Sequence, residues 1–268
     1  MKDNHSAEHI GFLRKLQAKR RMVSLLRGLI LVGFFLLWEG AARFGWIDAF
    51  IFSSPSRAVS SLWRMISEGS LWNHVGTTLL ETLIGFFLGT LIGFVAAILL
   101  WFFPTAEKVL DPYLVILNSL PKIALGPVII VWVGSGMSSI ITVTLLISVV
   151  STTMGMLTGF QEVDGEKLTL MKSFGANRLQ TLTMCVFPAS TLSLISVLKI
   201  NVGMVWVGVI VGEFLVSRAG LGYLIVYGGQ VFRMDLVMGS VLILCLLAAL
   251  MYYIVAGLEV LLKRRLAE

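Results

Sequence analysis

Residues 82–100 read TLIGFFLGTLIGFVAAILL, a run without a charged side chain. As a helix, at about 1.5 Å of rise per residue, it is roughly 28 Å long, close to the hydrocarbon thickness of a bilayer. Gly85, Gly89 and Gly93 recur every four residues and share one helix face. Small residues at that spacing let a second helix approach closely where no water drives association. The stretch predicts a membrane-spanning helix with a packing ridge of glycines.

Outward from this run, the sequence shows six apolar segments in all, at about 25–46, 76–103, 109–133, 137–158, 189–215 and 236–262. The 268 residues are 57% hydrophobic and 13% charged, where soluble domains carry about 25% charged residues. That balance excludes an ordinary soluble enzyme and a disordered tail protein. Six spans plus loops use up the chain. The expected organisation is a basic segment over 1–27 followed by one all-α transmembrane domain over 28–265. Glu39 and Arg43 interrupt the first segment at i, i+4 spacing and can pair on one helix face. The apolar stretch there is long for a signal peptide and no small-residue cleavage pattern follows, so it is read as a retained helix.

Six spans put both termini on one side. Fourteen of the 21 Lys and Arg residues fall on that side: seven in 1–27, Lys108, Lys167, Lys172, Arg178 and the group Lys263-Arg264-Arg265. Arg57, Arg64, Arg218 and Arg233 fall on the other, and Arg43, Lys122 and Lys199 lie within spans. Basic groups flanking spans mark the cytoplasmic face. Both termini are therefore expected in the cytoplasm, with the chain multi-pass in the plasma membrane. The basic ends suit anionic lipid in the bilayer, and their placement argues against nucleic acid.

Two connections are long. In 47–75, Ser53-Ser54-Pro55-Ser56 precedes Val59, Leu62, Trp63 and Ile66, which predicts a short helix on the membrane surface. In 159–188, Leu168, Met171 and Phe174 recur at helical spacing until Gly175-Ala176-Asn177 breaks it. Leu179, Leu182 and Val186 then resume the pattern, and Pro188 marks entry into the next span. The reading is two short helices with a tight turn, projecting from the membrane.

This loop resembles the coupling loop of ATP-binding-cassette (ABC) importer permeases, E-A-A-x3-G-x9-I-x-L-P. Gly175 and Pro188 keep that spacing, while Thr169-Leu170-Met171 replaces Glu-Ala-Ala and Cys185 and Phe187 replace Ile and Leu. The resemblance covers roughly residues 30–262. Phe52-Ser53-Ser54-Pro55-Ser56, Leu120-Pro121-Lys122-Ile123-Ala124-Leu125-Gly126-Pro127, Gly212-Glu213-Phe214-Leu215 and Ala219-Gly220-Leu221-Gly222-Tyr223 are similar to segments of the nitrate, sulfonate and taurine permeases. It implies the type I ABC importer permease fold with six transmembrane helices. It also implies a second permease copy, a pair of cytoplasmic ATP-binding subunits and an external solute-binding protein. Leu168, Met171, Phe174, Gly175, Ala176 and Pro188 are then the ATPase-coupling residues. The sequence contains no G-x-x-x-x-G-K-[ST], so if transport uses ATP, another chain must bind it.

Ionisable groups inside spans are costly and mark functional candidates. Asn118, Ser119 and Lys122 lie mid-segment between or beside Pro121 and Pro127, where the helix is expected to break. Broken backbone at that depth faces protein or a water-filled cavity. These three are translocation-path candidates, the alternative being an internal polar staple. Lys199, Trp206 and Glu213 are seven apart and share a stripe, which lines the path or a permease–permease contact. The alternatives are a Lys199 that snorkels to the edge and a Glu213 at the outer boundary. Glu81 stands where the resembling permeases often carry arginine, which weakens the case for a small anion as substrate. Without the resemblance, Lys122, Lys199, Glu81 and Glu213 would suit an ion-coupled secondary carrier. Gly220, Gly222, Gly228 and Gly229 around Tyr223 and Tyr227 predict a tightly turned outer segment. Cys185 and Cys245 form no CxxC, and His5, His9 and His74 form no ligand cluster. No metal, cofactor or catalytic set is predicted, which excludes a membrane-embedded enzyme.

Overall fold

A computed structural model describes residues 7–267; Lys2 and His5 of the basic segment lie outside them. The described chain is helical: α1 (Ala7–Arg43), α2 (Ala49–Phe52), α3 (Pro55–Ser67), α4 (Ser70–Phe102), α5 (Pro104–Ser119), α6 (Gly126–Val133), α7 (Met137–Gln161), α8 (Gly165–Ser173), α9 (Arg178–Thr181), α10 (Phe187–Val216), α11 (Leu221–Gln230) and α12 (Met234–Ala267). Five stretches are long and apolar enough to span a bilayer, and α5 with the bent segment after it makes a sixth.

The third span is broken, as its prolines predict. Pro121 supplies no N–H and holds Leu120 extended at φ −63°, ψ 142°. A 3-10 turn over Lys122–Leu125 follows, and α6 leaves at 81° to α5. The first span is longer than expected, since helix continues from the polar turns at Ala7 through to Arg43. Its end is tied down by Glu39, which pairs with Arg43 at 2.7 Å and accepts from Ser56 N–H at 3.0 Å and Ser56 Oγ at 2.9 Å.

α3 begins where Ser54 caps it and Pro55 fills its first turn. Its packed face differs from the apolar one read in the sequence. Ala58, Ser61 and Met65 are buried against the bundle, whereas Val59 and Trp63 point outward. The small side chain of Ala58 lets α3 lie close to Gly239 of α12, where the Ala58 carbonyl is a near neighbour. The outward residues are left for lipid.

The bundle centre is a three-helix crossing of α4, α7 and α10. A Cβ added at Gly85 would lie 2.7 Å from Thr144 Cγ2, at Gly89 2.6 Å from Ser148 Oγ, and at Gly93 2.8 Å from Thr152 Cγ2. The two four-residue rows advance together, so α4 and α7 run side by side in one direction. Gly208 and Gly212 of α10 sit against Thr144 and Ile140 of α7, so Thr144 stands where all three helices meet. Thr144, Ser148 and Ile140 are fully buried. Thr144 Oγ1 donates to Ile140 O at 2.8 Å, which disposes of its hydroxyl inside the apolar core.

Pro188 does not mark the start of a separate span. Helix is continuous from Arg178 to Val216 through a π turn over Leu182–Val186. The wider turn accommodates the missing N–H and the ring bulk of Pro188 without breaking the helix.

Replacing Gly89 by Leu should cost about 1–3 kcal/mol or more of packing strain and sharply lower the yield of monodisperse protein in detergent. Gly76→Leu, in the same helix but with no atom within 4 Å of the added Cβ, should leave that yield unchanged. Equal yields for the two variants would contradict the close crossing.

Candidate functional site

Two places combine polar or exposed apolar groups that a simple lipid-facing bundle does not need. The first is the hairpin α8–α9. Asp164 caps α8, accepting from Glu166 N–H at 2.9 Å. Gly175 ends it at φ +74°, where a side chain is disfavoured, with its N–H donating to Lys172 O. Asn177 and Gln180 then start α9 with a reciprocal capping box, both bonds at 2.8 Å. Arg178 Nη1 donates to Phe102 O, which anchors the hairpin to the end of α4.

The hairpin residues divide by face. Leu168 packs against the cluster formed by Met156, Phe160, Leu182 and Val186, so it holds the hairpin to its own bundle. Met171 and Ala176 are half-buried, and Pro188 lies on the exposed side of α10. Phe174 is 78% exposed at the turn, flanked by exposed Leu170 and Leu179. The sequence reads Leu170 and Leu179 only as part of the loop pattern and not among the coupling residues, because the helical phase resets at Gly175. The signal that marks them is the apolar pair straddling the turn.

The second place is the break in the third span. Lys122 Nζ donates to Asn118 Oδ1 at 3.2 Å and to Ile147 O at 3.3 Å. Ser151 Oγ of α7 donates to the same Asn118 oxygen at 2.7 Å. Asn118 and Lys122 are thus brought together with Ser151, a residue the sequence reading missed inside a run of small polar residues. Ser119 instead turns its hydroxyl back to Val115 O at 2.9 Å. Asn118 and Ser119 are exposed on the face of the chain, and among the described residues no carboxylate pairs with Lys122.

The stripe Lys199, Trp206 and Glu213 does not form one open surface. Lys199 Nζ pairs with Glu259 Oε2 of α12 at 2.6 Å, and Lys263 pairs with the other oxygen at 2.7 Å. Trp206 is buried in a cluster with Phe86, Val202, Val205 and Val209. Glu213, 1% exposed, accepts from Thr78 Oγ1 at 2.6 Å and from Gly222 N–H at 2.5 Å. Leu221 N–H donates to Thr78 Oγ1 at 2.8 Å, and Gly220 N–H donates to His74 Nδ1 at 3.1 Å. Gly220 has φ +111°, and a Cβ there would lie 2.3 Å from Glu213 Oε1. The carboxylate therefore staples the turn before α11 to α4 and α10. Glu81 is buried beside Glu213.

If Glu259 serves to neutralise Lys199, Glu259→Leu should lower the yield of monodisperse protein, because it strands a cation between α10 and α12. The double variant Lys199→Leu/Glu259→Leu should recover most of that loss, measured by fluorescence-detected size exclusion. A double variant no better than the single would contradict the pairing.

The comparisons with known proteins agree with this geometry. The family model described as "Binding-protein-dependent transport system inner membrane component" matches residues 89–268. A probable ABC transporter permease protein of Haemophilus influenzae is 33% identical over 232 residues, covering 86% of this chain and 94% of that one. The taurine transport system permease protein TauC of Escherichia coli is 24% identical over 236 residues, covering 86% of each. Among solved structures, the inward-facing MetNI methionine ABC transporter superposes with a TM-score of 0.65 at 18% identity, covering 73% of this chain and 98% of that chain. Helical spans, family match and fold converge: the chain belongs to the binding-protein-dependent ABC importer permeases, multi-pass transport subunits of the inner membrane.

Proposed function

We propose that this chain passes a small solute, delivered by an external binding protein, through a path made by two copies of itself. ATP hydrolysis on a separate pair of cytoplasmic subunits drives it, with those subunits docked on the 165–178 hairpin. The observation that carries this reading is the exposed apolar tip Leu170, Phe174 and Leu179 on a hairpin that is firmly capped and anchored at its base. A rigid hairpin that presents an aromatic anchor suits insertion into a groove on a partner. The charge bias supports a cytoplasmic position for that hairpin and both termini.

The path runs past Asn118, Ser119 and Lys122. A cation and an amide on an open face at a helix break are unfavourable against lipid tails, so a second copy covers them and encloses a polar channel. Lys122 keeps a donor beyond its two oxygen partners. This suits a solute with an anionic or acceptor group, such as a sulfonate, nitrate or related small organic solute. Burial of Glu81 beside Glu213 removes it from the open face, so its charge type does not oppose this class. The ion-coupled carrier reading lacks a comparable support, because Lys199 is neutralised by Glu259.

Phe174→Asp should leave the permease folded and abolish co-purification of the ATPase subunits, with ATP-dependent uptake falling about tenfold or more, as for loss of a central interface anchor. Gly175→Val should act in the same direction through about 1–2 kcal/mol of backbone strain at the turn. Uptake at the unmodified rate in both variants would sink the docking claim. For the path, Lys122→Met should lower uptake while the complex still assembles; unchanged uptake would remove Lys122 from it.

A further inference from the structure

Behind the break in the third span, α7 and α10 enclose a cavity of about 40 Å³ lined by Ser151, Thr152, Asn201 and Met204 among others. That volume admits a water molecule or one small polar group of a solute. Asn201 is 2% exposed. Its Nδ2 donates to Thr90 Oγ1 of α4 at 2.9 Å, while its Oδ1 has no partner among the described residues. A buried amide oxygen left in that state is unfavourable unless something donates to it. Stapling α10 to α4 needs only the nitrogen and leaves the oxygen unexplained.

Ser151 ties the cavity to the open polar face. It lines the cavity and also donates to Asn118 Oδ1, the oxygen that accepts from Lys122. A line of polar groups therefore runs from Lys122 through Asn118 and Ser151 to the cavity and Asn201. At its rim stand Ile200, largely exposed, and Met204, half-buried and flexible enough to move aside.

We propose that this cavity is a solute subsite of the translocation path, and that Asn201 Oδ1 accepts a hydrogen bond from an N–H or O–H group of the passing solute. The proposal rests on the path reading at Asn118 and Lys122 and extends it inward to α10. It adds a chemical requirement: a solute with a donor group for Asn201 as well as an acceptor or anionic group for Lys122.

The test is cysteine accessibility in membrane vesicles carrying the assembled importer, in a background with Cys185→Ala and Cys245→Ala. Asn201→Cys and Met204→Cys report the cavity, Asn118→Cys reports the break, and Val205→Cys, fully buried in the core, sets the closed rate. The probe is 2-aminoethyl methanethiosulfonate, with and without ATP. Expected is reaction of Asn118→Cys, with Asn201→Cys and Met204→Cys reacting about tenfold faster than Val205→Cys in at least one nucleotide state, since reactivity follows thiol access. If Asn118→Cys reacts while both cavity cysteines stay at the Val205→Cys rate, the subsite is overturned and the path reading stands. An unreactive Asn118→Cys would overturn the path reading and the subsite with it. Should Asn201→Cys fail to assemble, Met204→Cys decides the same question.

Discussion

The rest of the molecule depends on the close approach of α4, α7 and α10. In lipid there is no hydrophobic drive to bring helices together, so packing contact has to hold them. Gly85, Gly89 and Gly93 meet Thr144, Ser148 and Thr152 in matching four-residue steps, and Gly208 and Gly212 meet Thr144 and Ile140. Further along, Gly155 and Gly159 of α7 receive Val197 and Ser193 of α10. Each contact would be lost if a side chain stood where a glycine stands. The crossing is thus a row of interlocked small groups at the closest contacts, with Phe86, Ile140 and Trp206 filling the space beside them.

From this crossing the functional parts take their positions. The broken third span leans on α7 through Lys122 and Asn118, so its polar break is held at a fixed height against Ile147 and Ser151. The hairpin α8–α9 leaves the end of α7, and its second helix runs on through the π turn into α10 without interruption. A displacement of the hairpin tip would therefore tilt α10 as well as a loop. At the far end of α10, Glu213 is stapled to the turn before α11 and to Thr78 of α4. One continuous helix links the hairpin to the Glu213 staple at its opposite end. This is a physical route by which ATP binding on a partner could bias inward- and outward-facing arrangements.

Much of this was legible in the sequence because membrane insertion leaves few alternatives. The spans, the glycine ridge of α4, the break at Pro121 and the turn at Gly175 follow from apolar length, four-residue spacing and the backbone limits of proline and glycine. What escaped the reading depends on which way a face points. Leu168 and Phe174 share a helical pattern, yet one packs inward and the other outward, since only the tip clears the bundle. Val59 and Trp63 of α3 are exposed, as a helix on the membrane surface requires, but the face that packs on the bundle, Ala58, Ser61 and Met65, carries no apolar stripe that sequence could pick out. Lys199, Trp206 and Glu213 share a stripe on α10, but that stripe passes α12, the core and the α11 turn in succession. Pro188 reads as a helix start because sequence gives no sign of a π turn.

The central claim is that energy enters this chain through the hairpin tip from a separate ATPase subunit. The most direct measurement places a photo-cross-linking phenylalanine analogue at Phe174 and, as a control, at Trp132, which is exposed on the bundle surface. Irradiation of membranes carrying the assembled importer should join the Phe174 position to the ATPase subunit and the Trp132 position to no such partner. Capture of the ATPase subunit at neither position, together with solute uptake by the purified chain alone under an ion gradient, would contradict the account.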